Sequence, residues 1–145
     1  MIDLSAILHV IVDHLLWPVI AALLALTVLV TVDFGIALGE RFGGLAGLKD
    51  KPAVDIEKLA RARISRADLA TRIGPSLGLM GTLIPLGPGI AAMGRGDFQT
   101  LAIAITTAFD TTVLGLVIGI VGFLISRWRR GAYDRLLTEI ETIHA

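Results

Sequence analysis

The stretch from Ile73 to Ser126, IGPSLGLMGTLIPLGPGIAAMGRGDFQTLAIAITTAFDTTVLGLVIGIVGFLIS, decides the fold. Its only charged residues are Arg95, Asp97 and Asp110, and the first two fall together beside a pair of glycines. A helix needs ~20 largely apolar residues to cross ~30 Å of hydrocarbon. Ile73–Gly94 supplies such a run with no charge, and Phe98–Ser126 supplies another with Asp110 alone. Residues 95–97 are left as a tight turn between two spans. At ~1.5 Å per residue the second of these helices is longer than the bilayer and must tilt or protrude.

Upstream, Leu15–Gly39 is a further span, broken only by Asp33 near its end. Residues Ile2–His14 mix apolar and polar positions and allow two readings. One is an interfacial helix, with Trp17 at headgroup level and Pro18 tolerated near a helix start. The other is a ragged extension of the span. The opening has no positively charged segment before its apolar run and no small-residue cleavage site, so we read it as retained.

The expected fold class is therefore an all-α integral membrane protein with three transmembrane helices and short cytoplasmic helical extensions. Its segments are 1–14 outside, 15–39 as the first span, 40–72 as a loop carrying a helix, 73–94 as the second span, 95–97 as the external turn, 98–126 as the third span and 127–145 as a tail helix. Composition agrees: of 145 residues, 18% are charged, where soluble domains carry about 25%. Formal net charge is zero, so no basic surface invites nucleic acid. The absence of Cys removes disulfides and thiolate metal sites. His9, His14 and His144 lack the spacing of a metal site, and His9 and His14 miss the i, i+4 register of a helical pair. No metal or cofactor is expected, and no nucleophile–base pair suggests an enzyme.

Cation placement gives direction. From Met1 to Glu40 there is no Lys or Arg. The segment between the first two spans holds Arg41, Lys49, Lys51, Lys58, Arg61, Arg63, Arg66 and Arg72, and the tail holds Arg127, Arg129, Arg130 and Arg135, whereas the opposite side has only Arg95. The positive-inside rule then puts the N-terminus outside and both basic segments in the cytoplasm. Within the loop, Phe42–Pro52 is Gly-rich and suits a connector. Val54–Arg72 reads as a helix, with Val54, Ile56, Leu59, Ala60, Ile64, Leu69 and Ala70 as its apolar positions. It either lies on the membrane surface or continues the second span.

Small residues mark the second and third spans. Gly74 and Gly78 are four apart, as are Gly115 and Gly119, a spacing that lets helix backbones approach closely in lipid. Three helices bury little surface alone, so a homo-oligomer is expected. Pro75, Pro85 and Pro88 punctuate the second span, and Pro85-Leu86-Gly87-Pro88-Gly89 is expected to kink the helix or open it locally. Open backbone at membrane depth survives only against protein or water, which would give a cavity or pathway there; a packed kink is the simpler alternative.

Thr82 lies fifteen residues before Asp97 and Thr112 fifteen after it, so an ideal hairpin brings both hydroxyls to one depth. A single Thr ordinarily bonds its own i−4 carbonyl; a depth-matched pair beside Gly81 suggests a polar seam. Asp110 falls near mid-membrane, where an acid is a functional candidate by default. It points about 200° around the helix from Thr112 and shares a face with Thr106 and Thr107. It is either a hydrogen-bonded structural residue or a proton site.

Two motifs carry a resemblance. Gly74-Pro75-Ser76-Leu77-Gly78-Leu79-Met80-Gly81-Thr82 resembles the second-span motif of the MotA/TolQ/ExbB proton-channel family, and Ala108-Phe109-Asp110-Thr111-Thr112-Val113-Leu114-Gly115-Leu116 resembles its third-span motif. The likeness runs from about Ile73 to Arg130, and the three-span layout is closer to the TolQ/ExbB branch than to four-span MotA. It implies a pentamer around the membrane helices of a smaller ExbD-, TolR- or MotB-like single-span partner that carries the essential Asp. It also implies that Thr82 and Thr112 face the pore, and that proton flow drives a rotary motor. Each proton supplies ~2.3 kcal/mol per 100 mV. Ile84-Pro85 stands where those relatives often have Trp-Gly, the cytoplasmic part is shorter, and Asp110 is an additional acid. The competing readings are a non-conducting scaffold and a subunit of a transporter complex, although no repeat or charged substrate site marks the latter.

Overall fold

A chain in hydrocarbon must satisfy its backbone internally, and continuous apolar runs without partner strands do so as helices. The computed structural model describes residues 4–40, 42 and 53–144. Among these every long regular element is a helix: α1 (Leu4–Gly39), α2 (Ala53–Met93) and α3 (Phe98–His144). Each of the three contains a stretch long and apolar enough to cross a membrane. The longest, α3, has 47 residues, roughly 70 Å, and so extends far beyond a ~30 Å core.

The helices run on where the sequence allowed a break. α1 is continuous from Leu4, so the segment before Leu15 extends the helix that holds the first span. α2 is continuous from Ala53, so the basic segment prolongs the helix that holds the second span and is not a separate helix. Ile56, Ala60 and Ala70 are buried as their spacing implies, but Leu69 is 55% exposed and Ala67 takes the buried place instead. The reason is steric: a methyl side chain lets α1 and α3 approach where Leu would hold them off. The Val54 side chain and, apart from Phe42, the Gly-rich connector to Pro52 lie outside the described residues.

Pro75, Pro85 and Pro88 all lie within unbroken α2, so the local opening expected around Pro85–Gly89 does not occur. A proline forfeits one donor and crowds the preceding turn, and the remaining ladder carries the helix through. α2 ends in a Schellman turn: Gly96, at φ 82°, donates its N–H to the Met93 carbonyl at 2.9 Å, and the Asp97 N–H reaches the Ala92 carbonyl at 3.0 Å. Asp97 then caps α3, accepting from the Thr100 N–H at 3.0 Å and from its hydroxyl at 2.6 Å.

α2 and α3 form an antiparallel hairpin that supplies most of the inter-helix contact, and α1 lies against both. The core joins Leu23, Val30 and Ala37 of α1 to Ala67 and Ala70 of α2 and to Ile118 and Ile125 of α3. Large apolar residues such as Leu83, Ile90, Phe109 and Ile120 remain exposed, as expected of surfaces meeting lipid or other subunits.

Candidate functional site

The hairpin sets a strict register. A Cβ on Gly89 would meet Ala104, one on Gly81 would meet Thr111, and one on Gly78 would meet Gly115. Each pair is equidistant from the turn to within about a residue, because the turn holds no slack. At Gly115 the added carbon would lie 2.6 Å from the Gly74 carbonyl oxygen and 2.7 Å from the Gly78 Cα. Gly115 therefore faces both Gly74 and Gly78 across the hairpin. Gly119 acts similarly, since its missing Cβ leaves room for the Pro75 ring, 2.7 Å from where that carbon would stand.

This register brings Thr82 and Thr112 into direct hydroxyl-to-hydroxyl contact. Both also reach the carbonyl of Ala108, at 3.2 Å from Thr82 and 2.9 Å from Thr112. Thr82 has a further acceptor in the Gly78 carbonyl at 3.0 Å. Thr111 joins from the buried side, its hydroxyl bonded to Thr107 at 2.9 Å and Ala108 at 3.1 Å, with its side chain filling the space left by Gly81. A hydroxyl donates one hydrogen and accepts two, so the alternatives cannot all be used at once. If Thr112 donates to Ala108, its oxygen accepts from Thr82; if Thr82 turns to Gly78, the Thr112 oxygen is left open. The pair is a polar step that can be redirected by rotating two C–O bonds. Thr82 and Thr112 are half-buried, so one side of the step faces away from the hairpin.

The remaining candidates fall in different places. Pro85 is buried, whereas Pro88 is exposed. Asp110 is exposed, on the side of α3 turned away from the threonine step. Thr106 and Thr107 share its face but donate to the carbonyls of Ala102 and Ile103, at 2.9 and 3.0 Å. Asp110 has no hydrogen bond among the described residues, so the reading of a carboxyl tied to these threonines does not hold within one chain.

A second polar cluster, not anticipated from the sequence, closes the arginine-rich end of the bundle. Arg129 is 2% exposed and Asp33 3%, and their side chains pair at 3.6 Å. Arg129 also donates to Glu40 at 3.4 Å, to the Arg63 carbonyl at 3.2 Å and to the Asp33 carbonyl at 3.3 Å. Arg63 pairs with Glu40 and donates to the Tyr133 hydroxyl at 3.3 Å. Beside this group, Asp68 accepts from Ser126 and Arg130, each at 2.5 Å. One signal is present in the sequence: Asp33 and Glu40 are seven apart and so share a helix face. The arginines, by their placement in the chain, speak only to topology.

Residues 51–142 match the profile of a family described as the MotA/TolQ/ExbB proton channel family. No curated protein and no solved structure gives a significant match to the chain.

Proposed function

Because this chain belongs to the MotA/TolQ/ExbB proton channel family, we propose that it forms the ring subunit of a motor driven by the proton-motive force. The observation that carries this reading is the contact between the Thr82 and Thr112 hydroxyls around the Ala108 carbonyl, within the spanning part of the α2–α3 hairpin. Hydroxyls do not ionise in this setting, so the step does not store a proton. It offers a donor and an acceptor to a proton carried by water or by the carboxyl of a partner helix.

The proposed assembly is a homopentamer in a prokaryotic inner membrane, with the N-terminus outside and the arginine-rich ends in the cytoplasm. The partner is a single-span protein of the ExbD, TolR or MotB kind, whose membrane Asp passes the threonine step of each subunit in turn. The three-helix layout supports the TolQ/ExbB-like branch, and the exposed apolar faces of α2 and α3 supply contact surface for neighbours and partner. Asp110, unpaired among the described residues, is proposed as an auxiliary proton site. Pro75, Gly78, Gly81, Gly115 and Gly119 hold the hairpin in register; Pro85 and Pro88 shape the α2 backbone beyond the step. The test is coexpression with such a partner and measurement of proton flux in vesicles. The reading requires flux that depends on both the partner Asp and the threonine step.

A further inference from the structure

Two cavities lie along the same seam between α1 and α3. One, about 600 Å³ in volume, sits at the arginine-rich end and includes Glu40, Arg127, Trp128, Arg129, Gly131 and Arg135 in its lining. The other, about 180 Å³, is set among the apolar parts of both helices, with Val30 and Phe34 facing Leu114 and Val121. Phe34 lines the second and Trp128 the first, and their rings meet with centroids 6.5 Å apart, so the two spaces adjoin. The apolar slot exposes no unsatisfied hydroxyl, since Thr27 and Thr31 donate to the Leu23 and Thr27 carbonyls, each at 2.8 Å.

The charges around the larger cavity do not cancel. Arg129 and Arg63 are matched by Asp33 and Glu40, which neutralises the floor. Arg127 and Arg135 line the same space and take part in none of the ion pairs among the described residues, leaving two cations in excess just beyond the apolar run that ends at Ser126. A seam that is apolar in its membrane half, aromatic at the boundary and cationic beyond it matches an amphiphile with an acyl chain and an anionic head.

We propose that the α1–α3 seam binds an anionic phospholipid, one acyl chain in the slot lined by Val30, Phe34, Leu114 and Val121 and the phosphate within reach of Arg127 and Arg135. Such a site goes beyond proton conduction. It ties α1 to the hairpin through a lipid, at the end where the buried Arg129 cluster joins the same helices. Gly131 opens the headgroup space, since a Cβ there would meet nothing within 4 Å. A bulky residue at Gly131 therefore fills the cavity without altering its charge.

The experiment reconstitutes the purified full chain in nanodiscs of phosphatidylcholine containing a minor share of phosphatidylglycerol, and reads the lipid retained per protomer by native mass spectrometry. The expected result is selective retention of phosphatidylglycerol over phosphatidylcholine. Arg127→Gln with Arg135→Gln lowers that retention roughly 30-fold, the scale for removing two cations from an anionic lipid surface. Gly131→Phe lowers it as well, and Arg61→Gln, a change at an exposed cation of α2, leaves it unaltered. The proposal is overturned if the two lipids are retained alike by the wild-type chain, or if the double Gln variant matches Arg61→Gln. It is also overturned if Gly131→Phe alters the oligomer mass while phosphatidylglycerol retention stays constant, which would make the seam a contact between copies.

Discussion

Gly115 and Gly78 stand so close that a Cβ on Gly115 would come within 2.7 Å of the Gly78 Cα. Backbone meets backbone at this point, and neither helix has a flexible side chain that can move aside. The contact fixes the separation of α2 and α3, and with it the meeting of the threonine hydroxyls one turn away.

Gly115→Ala is expected to destabilise the protein by about 1–3 kcal/mol, the scale of overpacking. Gly115→Leu is expected to abolish assembly. Gly35→Ala, where an added carbon meets nothing within 4 Å, should change stability by no more than about 1 kcal/mol, in the stabilising direction. Thermal unfolding in detergent reads all three, and equal midpoints for the Ala variants would contradict the close-approach account.

Arg129 links the three helices through Asp33, Glu40 and the Arg63 carbonyl. Arg129→Leu leaves the buried Asp33 carboxylate without its cation and part-buried Glu40 with Arg63 alone, and should cost about 3–5 kcal/mol. Asp33→Asn combined with Arg129→Gln should cost less than the two single changes together, because the pair couples. Additive losses in a double-mutant cycle would remove the coupling.

Asp97 is held below its ordinary value of 3.8, first by the hydrogen bond from the Thr100 hydroxyl and then by that from the Thr100 N–H. A carboxylate lowered on folding contributes stability that is present above its unfolded value and lost as pH falls through the folded one. The α3 cap should therefore loosen only below pH 3.8, and amide exchange at Thr100 should report it. Asp97→Ala should show fast exchange at every pH; a loosening centred near neutral pH would exclude Asp97 as its source.

Asp110 touches no polar partner among the described residues of its own chain. Asp110→Asn should leave the stability of the protomer within about 0.5 kcal/mol of wild type, yet lower partner-dependent proton flux. Unchanged flux would take Asp110 out of the pathway.

Hydropathy made the three spanning helices legible, because crossing hydrocarbon demands long apolar runs and little else. The meeting of Thr82 and Thr112 was legible too, since a tight turn at Gly96–Asp97 makes distance from the turn a measure of depth. Continuity through Pro85 and Pro88 was not: the sequence shows which donors are lost, while neighbouring packing decides whether the helix stays closed. The Arg129 cluster escaped for a related reason. Asp33 read as a flaw in a span and Arg129 as a topological charge, and only three-dimensional packing turns them toward one another. The burial of Ala67 in place of Leu69 is the same lesson in small: spacing selects a face, and the closeness of the neighbouring helix selects the residue within it.

The most direct test of the threonine step is proton flux in vesicles that hold the chain with a single-span partner bearing a membrane Asp. Thr82→Val together with Thr112→Val keeps the side-chain shape and removes both hydroxyls, and flux should fall to background. Thr82→Ser with Thr112→Ser restores the hydroxyls and should restore flux. Undiminished flux in the double Val variant, with the oligomer intact, would contradict the account.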